Sequence, residues 1–285
     1  MLKKESTMEN NNTLTTDFVE LPNAHIRPIS FWGGIGLSLL FYVVQFVTIL
    51  PIMAIAVAIY GVDYISDSTE VLMGIGLPLA FIAGAWSFSR WHGLGNTAYE
   101  WKSNFIPLTI VGLILTFSVS YIIGTILTYL PGFDAMMESY NSMFGNIDPK
   151  DLVLTIAVIG PICEEIIFRG VILEGMLKKY DVNKAILFSA LIFGLIHLQP
   201  LQVISAFFIG LILGWIYVKT QSLWVCIGIH VVNNFVAVMT MDNSIETSAA
   251  YFDNNLLFIG SLVAAAGIGY LAYVGLKRML NRDRV

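Results

Sequence analysis

Between Leu152 and Leu173 runs an apolar stretch long enough to cross a bilayer, and it holds three ionisable side chains near its middle: Glu164, Glu165 and Arg169. A span needs about 20 apolar residues, and a charge at its centre costs about 2.5–3.5 kcal/mol. A helix that keeps all three must turn them toward protein or a wet cavity, and other helices must supply their partners. Ionisable groups at that depth mark a functional site by default. This requirement constrains the fold more than any other feature of the chain.

The rest of the sequence agrees with a membrane setting. Of 285 residues, 56% are hydrophobic and 12% charged, and the mean hydropathy is +0.75. Soluble domains carry about 25% charged residues, so the chain is predicted to be an all-α polytopic membrane protein. The net charge of −5 reflects acids in loops. No basic stripe suggests nucleic acid. Cys163 and Cys226 lie in apolar runs and read as small hydrophobes, with no CxxC pair for zinc. Residues 1–30 are polar and lack an apolar leader core, so the first apolar run is expected to be an uncleaved anchor.

Apolar runs predict about eight spans enclosing a polar intramembrane cavity: 31–60 (interrupted by Pro51), 71–89, 105–130, 152–177, a short 185–198 stopped by Pro200, 201–218, 223–241 and 256–276. They divide the chain into a polar tail (1–30), N-terminal helices (31–149), a core with the polar groups (150–245), and a last helix with a basic tail (246–285). Assigned to alternate sides, thirteen of the fifteen Lys and Arg residues gather with the termini. They are Lys3, Lys4, Arg27, Arg90, Lys102, Lys178, Lys179, Lys184, Lys219, Lys277, Arg278, Arg282 and Arg284. Lys150 falls opposite with Asp63, Asp67, Glu70, Asp134, Glu138, Asp148, Asp151, Asp242, Glu246 and Asp253, and Arg169 lies within a span. The positive-inside rule then puts both termini in the cytoplasm. Gly210 and Gly214 form a GxxxG pair that permits close helix approach, with packing inside the chain favoured over dimerisation.

Few other strongly polar groups lie at depth: His197 at the end of the fifth run, and His230, Asn233 and Asn234 in the seventh. The first three runs contribute almost none. Residues four apart share a helix face, which pairs Glu165 with Arg169, His230 with Asn234, and Phe193 with His197. Glu164 is rotated about 100° from Glu165 and is left to face another helix. At about 1.5 Å of rise per residue, Glu164, His197 and His230 can meet near mid-membrane.

A carboxylate in low dielectric can act as a general base, and His and Asn donors can hold an oxyanion. Amide hydrolysis would use both. Neither GxSxG nor HExxH is present. Three alternatives remain open. Glu165 and Arg169 are read first as a structural clamp; intramembrane Glu and His also build proton relays in transporters; and a non-catalytic scaffold or immunity protein would use the same fold to bind a partner.

Taken together, Glu164-Glu165-Ile166-Ile167-Phe168-Arg169, Phe193-Gly194-Leu195-Ile196-His197 and His230-Val231-Val232-Asn233-Asn234 resemble the EExxxR, FxxxH and HxxxN motifs of one family. It is the CPBP family of CAAX proteases and bacteriocin-processing enzymes, also called Abi, which includes the type II CAAX prenyl endopeptidases. The resemblance covers about residues 150–240 and implies an eight-helix intramembrane protease. It implies that Glu164 and His197 activate water, that His230 and Asn234 stabilise the oxyanion, and that Glu165, Arg169 and Phe193 support the site. It implies no cofactor. Zinc stays open, with Glu164, His197 and His230 as its ligands, and the metal-free reaction is favoured. The partners implied are the bilayer and a membrane-associated or lipidated peptide, in a bacterial cell membrane. Oligomeric state is left open.

Overall fold

Backbone groups in hydrocarbon must be satisfied within their own segment, so apolar runs of this length fold as helices. The computed structural model describes residues 26–61, 72–92, 103–145, 147–240 and 255–282. The tail up to residue 25 lies outside the described residues. So do the expectations for Lys102, Arg284, Asp63, Asp67, Glu70, Asp242, Glu246 and Asp253. Among the described residues every regular element is helical.

In chain order the helices are α1 (Phe31–Tyr60), α2 (Leu77–His92, entered through a π turn Leu72–Gly76), α3 (Phe105–Leu127) and α4 (Phe133–Phe144). Next is α5, a continuous helical run over 149–177 assembled from α and π turns. Then come α6 (Val182–Leu195), α7 (Pro200–Thr220), α8 (Leu223–Thr240) and α9 (Asn255–Arg282). Their starts follow sequence rules. Ser30 accepts from the Gly33 N–H at 3.0 Å to cap α1. Asp181 accepts from the Lys184 N–H at 3.0 Å to cap α6, and Pro200 occupies the first turn of α7.

The expected count of eight spans is corrected. Among the described residues six helices are long and apolar enough to cross a membrane: α1, α2 with its π turn, α3, α7, α8 and α9. The other two differ in kind. The glutamate run is helical throughout 149–177 but alternates α and π turns, so it forms no single regular helix of spanning length. The helix α6 has only 14 residues, roughly 21 Å of helix against a core of about 30 Å.

The short α6 and α7 form a close hairpin. A Cβ on Gly194 would sit 2.7 Å from the Val203 carbonyl oxygen, and one on Gly210 would sit 3.1 Å from Ala190. Gly214 faces Ile186 of α6. The GxxxG pair therefore packs within the chain. Leu198 makes the reversal in the left-handed region, at φ +61, which is costly for a bulky residue. The turn leaves His197 at the open end of the hairpin.

One apolar core joins α1, α2 and α3 to α5, α6, α7 and α8, with the end of α9. In its lower half Phe168, Val171, Ile172, Leu173, Leu213 and Ile216 are all 0% exposed. The helix α4 occupies the stretch between the third and fourth apolar runs, where hydropathy predicts only a connection. It follows Pro131-Gly132, with Gly132 at φ +79, and lies against the start of α7.

Candidate active site

Glu164 and Glu165 project from the α segment of α5 between two π turns, Val153–Ile159 and Phe168–Leu173, and Arg169 projects from the second of these turns. Arg169 donates from Nη1 to Oε1 of Glu165 at 2.7 Å, with both side chains buried. Its Nη2 donates to the Gly210 carbonyl at 3.4 Å. Its guanidinium also lies 4.7 Å from the Phe193 ring centre. A buried pair of this kind needs these extra partners, because desolvation of both charges is expensive.

The same Glu165 oxygen lies 2.7 Å from Nδ1 of His230. A carboxylate oxygen only accepts, so Nδ1 carries the proton and Nε2 points away from Glu165. Nε2 of His230 lies 3.8 Å from Oε2 of Glu164. The imidazole thus bridges the two glutamates. On α6, Nδ1 of His197 lies 2.7 Å from the Phe193 carbonyl. By the same rule that nitrogen is the donor, and Nε2 is the free base nitrogen.

Phe193 is the hub of the cluster. Its ring centre is 5.0 Å from His197, 5.7 Å from His230 and 5.0 Å from Phe168, all edge-on. It therefore touches members of all three motifs while being 1% exposed.

Asn234 is positioned by a gap in the backbone ladder. In the first π turn of α5, the Gly160 N–H bonds the Thr155 carbonyl, five residues back. In that register the Ile156 carbonyl faces position 161, and Pro161 has no N–H. Asn234 fills the vacancy, donating from Nδ2 to the Ile156 carbonyl at 3.1 Å. Asn233 donates to Oδ1 of Asn234 at 3.3 Å. The amide is thereby oriented, with one Nδ2 hydrogen left over.

Phe193, His197, His230, Asn233 and Asn234 line a cavity of about 260 Å³. The structure thus brings together the predicted histidines and asparagine. Glu164 sits beside this wall rather than on it, with its side chain 16% exposed. Glu165 and Arg169 lie behind it.

Three contributors were not expected. Tyr42 of α1 donates to the Ile196 carbonyl at 2.8 Å, steadying the end of α6 next to His197. Tyr140 of α4 hydrogen-bonds the Gln202 side chain, and both line the cavity. Burial pushes the Tyr140 phenol up from its ordinary value, with the Gln202 bond offsetting part of the shift. The signal for α4 was available as an amphipathic run over Phe133–Phe144. Tyr42 offered none, being one aromatic among many in an apolar run.

Zinc would need a convergent donor set. Among the described residues no three His, Cys, Asp or Glu side chains converge as metal ligands. Nδ1 of each histidine is taken by an oxygen acceptor, which leaves Nε2 as the nitrogen a metal would take. What these positions lack for a zinc site of the common three-ligand kind is convergence of the side chains on one point.

Residues 150–236 match the family model described as type II CAAX prenyl endopeptidase Rce1-like. The chain is also similar to YdiL of Bacillus subtilis, named as a candidate membrane peptidase. That match is 29% identical over 47% of this chain and 55% of YdiL. It is similar to the membrane-embedded CAAX protease MroQ of Staphylococcus aureus, 26% identical over 56% of this chain and 68% of MroQ. The chain thus spans little more than half the length of the Bacillus relative. No solved structure matches the chain significantly.

Proposed function

From the match of residues 150–236 of this multi-pass membrane protein to the Rce1-like CAAX protease model, we propose an intramembrane endopeptidase that cleaves a membrane-associated or lipidated peptide with a Glu-activated water. The observation that carries this reading is His230, held between two carboxylates of unlike exposure at the edge of a cavity that His197 and Asn234 also line.

Each group then has a task. Glu164 and Nε2 of His197 orient a water, and Glu164 takes its proton as the oxygen attacks the peptide carbonyl. The oxyanion accepts from the remaining Nδ2 hydrogen of Asn234 and from Nε2 of His230 when that nitrogen is protonated. With the His230 imidazolium present, Glu164, Glu165, Arg169 and His230 sum to zero charge, which suits a low-dielectric site. Collapse of the tetrahedral species breaks the C–N bond, and the proton on Glu164 passes to the leaving amine. Glu165, Arg169 and Phe193 hold the histidines in place. No step runs through a metal.

YdiL and MroQ are bacterial, which supports a bacterial cell membrane as the setting of this chain, and the distribution of Lys and Arg supports cytoplasmic termini. Peptide processing or self-protection from a bacteriocin would suit such a site. The test compares the N- and C-termini of membrane peptides by mass spectrometry in cells expressing wild type or Glu164→Gln at equal levels. New termini with wild type alone are expected. Identical termini from two folded, abundant proteins would overturn the peptidase reading and favour a scaffold or a transporter.

A further inference from the structure

The walls of the cavity come from one end of the bundle. They include Tyr140 of α4, Leu152 in the first turn of α5, Gln202 and Ser205 near the start of α7, and Val238 at the end of α8. The other end is closed. Below Phe193 and His230 lie Phe168, Val171, Leu213 and Ile216, all 0% exposed. Interiors packed in this way leave no water path, so the histidines are closed to solvent from beneath, where the buried Glu165 and Arg169 are the polar neighbours.

The described chain ends lie on the closed face. The Ile29 N–H bonds the Gly175 carbonyl at 2.9 Å, and the Phe31 N–H bonds the Tyr180 hydroxyl at 3.1 Å. The last helix runs antiparallel to α3. Ser261 bonds Tyr121 at 2.8 Å, and Gly275 packs on Val111 nearer the start of α3. The end of α9 therefore lies with the start of α3 and the start of α1.

Charge follows the same division. Among the described residues Arg27, Arg90, Lys178, Lys184, Lys219 and Lys277 belong to the closed face. Asp134, Glu138, Asp148 and Asp151 share the cavity face with Lys150. Basic residues stay in the cytoplasm.

We propose that the site is entered from the face opposite both described chain ends, that this face is extracytoplasmic, and that α4 roofs the entrance. The substrate is then a neutral or basic peptide segment presented outside the membrane, beside a span or a lipid anchor. The occupant's identity rests on the peptidase reading. The side of entry does not.

The test is site-directed thiol labelling of the full chain with a membrane-impermeant maleimide. Cys163 and Cys226 are 3% and 0% exposed and are replaced by Ser or shown to be unreactive. Ser205→Cys reports the cavity, Asp134→Cys the α4 face, and Lys277→Cys the closed face. Intact cells should label Ser205→Cys and Asp134→Cys, and inverted vesicles should label Lys277→Cys. Labelling of Ser205→Cys only alongside Lys277→Cys would overturn the proposal. So would labelling only after denaturation, or a reversal of all three. Repeating the series in Glu164→Gln separates the outcome from proteolysis, because accessibility needs no turnover.

Discussion

The two halves of α5 share a backbone and an apolar composition but have opposite surroundings. From Pro149 to Glu164 the helix borders the cavity and faces outward in places, with Leu154 43% exposed, and Gly160 and Pro161 interrupt its ladder. From Glu165 to Leu177 only Ile166 escapes full burial. The boundary falls between two adjacent glutamates, whose side chains are 16% and 0% exposed. One turn angle of about 100° thus separates a carboxylate that keeps access to solvent from one sealed in the core, and the proposed function assigns chemistry to the first and structure to the second.

If that boundary is real, the two glutamates must fail differently. Glu165→Gln leaves the Arg169 guanidinium buried without its counter-charge and weakens the bond that orients His230. Loss of about 3–5 kcal/mol of stability is expected for a broken buried pair. That is a large part of a typical 5–15 kcal/mol total. Thermal unfolding in detergent should show a lowered transition, with activity lost in parallel. An unchanged transition would place Glu165 on the cavity side after all.

Glu164→Gln should do the reverse. Removing a general base costs about 10²–10⁴ in rate, so turnover should fall by about a thousandfold. Stability should change far less than for Glu165→Gln, by about 1 kcal/mol or less, because the side chain keeps contact with solvent and its His230 neighbour lies 3.8 Å away. A mutant as unstable as Glu165→Gln would merge the two roles and remove the contrast.

The upper half has its own internal test. Asn234→Ala removes an oxyanion donor and should lower kcat by about 10²-fold with KM little changed. Pro161→Ala acts through the same residue without touching substrate. It restores an N–H opposite the Ile156 carbonyl and competes with Asn234 for it. Losing one such hydrogen bond should lower kcat about fivefold, while stability holds or rises because a helix bond is gained. A fall in stability with kcat unchanged would show that the proline matters only for packing.

Much of this was legible in the sequence because charge in hydrocarbon is so costly. Glu164, Glu165, Arg169, His197, His230 and Asn234 stood out against apolar runs, and four-residue spacing paired Glu165 with Arg169. The spacing did not show that His230 binds Glu165 as well, because that bond crosses between helices 65 residues apart. The span count was overestimated where hydropathy alone was informative. Hydropathy sees neither the π turns of α5 nor the early stop of α6 before the Leu198 reversal. The helix α4 was missed because its apolar side chains cover a cavity and not lipid. Its Asp134 and Glu138 made the stretch look like a loop.

The smallest expected effect concerns metal. Nδ1 of His197 is held by the Phe193 carbonyl, and His230 has Glu165 on one nitrogen and Glu164 near the other. Zinc binding through Glu164, His197 and His230 would require Nε2 of His197 to join Nε2 of His230 and Oε2 of Glu164, all three converging at about 2.0–2.2 Å from one ion. The lower half of α5 resists such a shift. Glu165 and Arg169 fix His230 from behind, and Phe193 is wedged against both histidines. Cleavage measured after treatment with a strong zinc chelator should therefore stay close to its starting rate. Restoration of a lost rate by added zinc would show that the histidines leave these positions in the working enzyme. The boundary between the glutamates would then be a feature of the resting arrangement, with Glu164 a ligand and not a base.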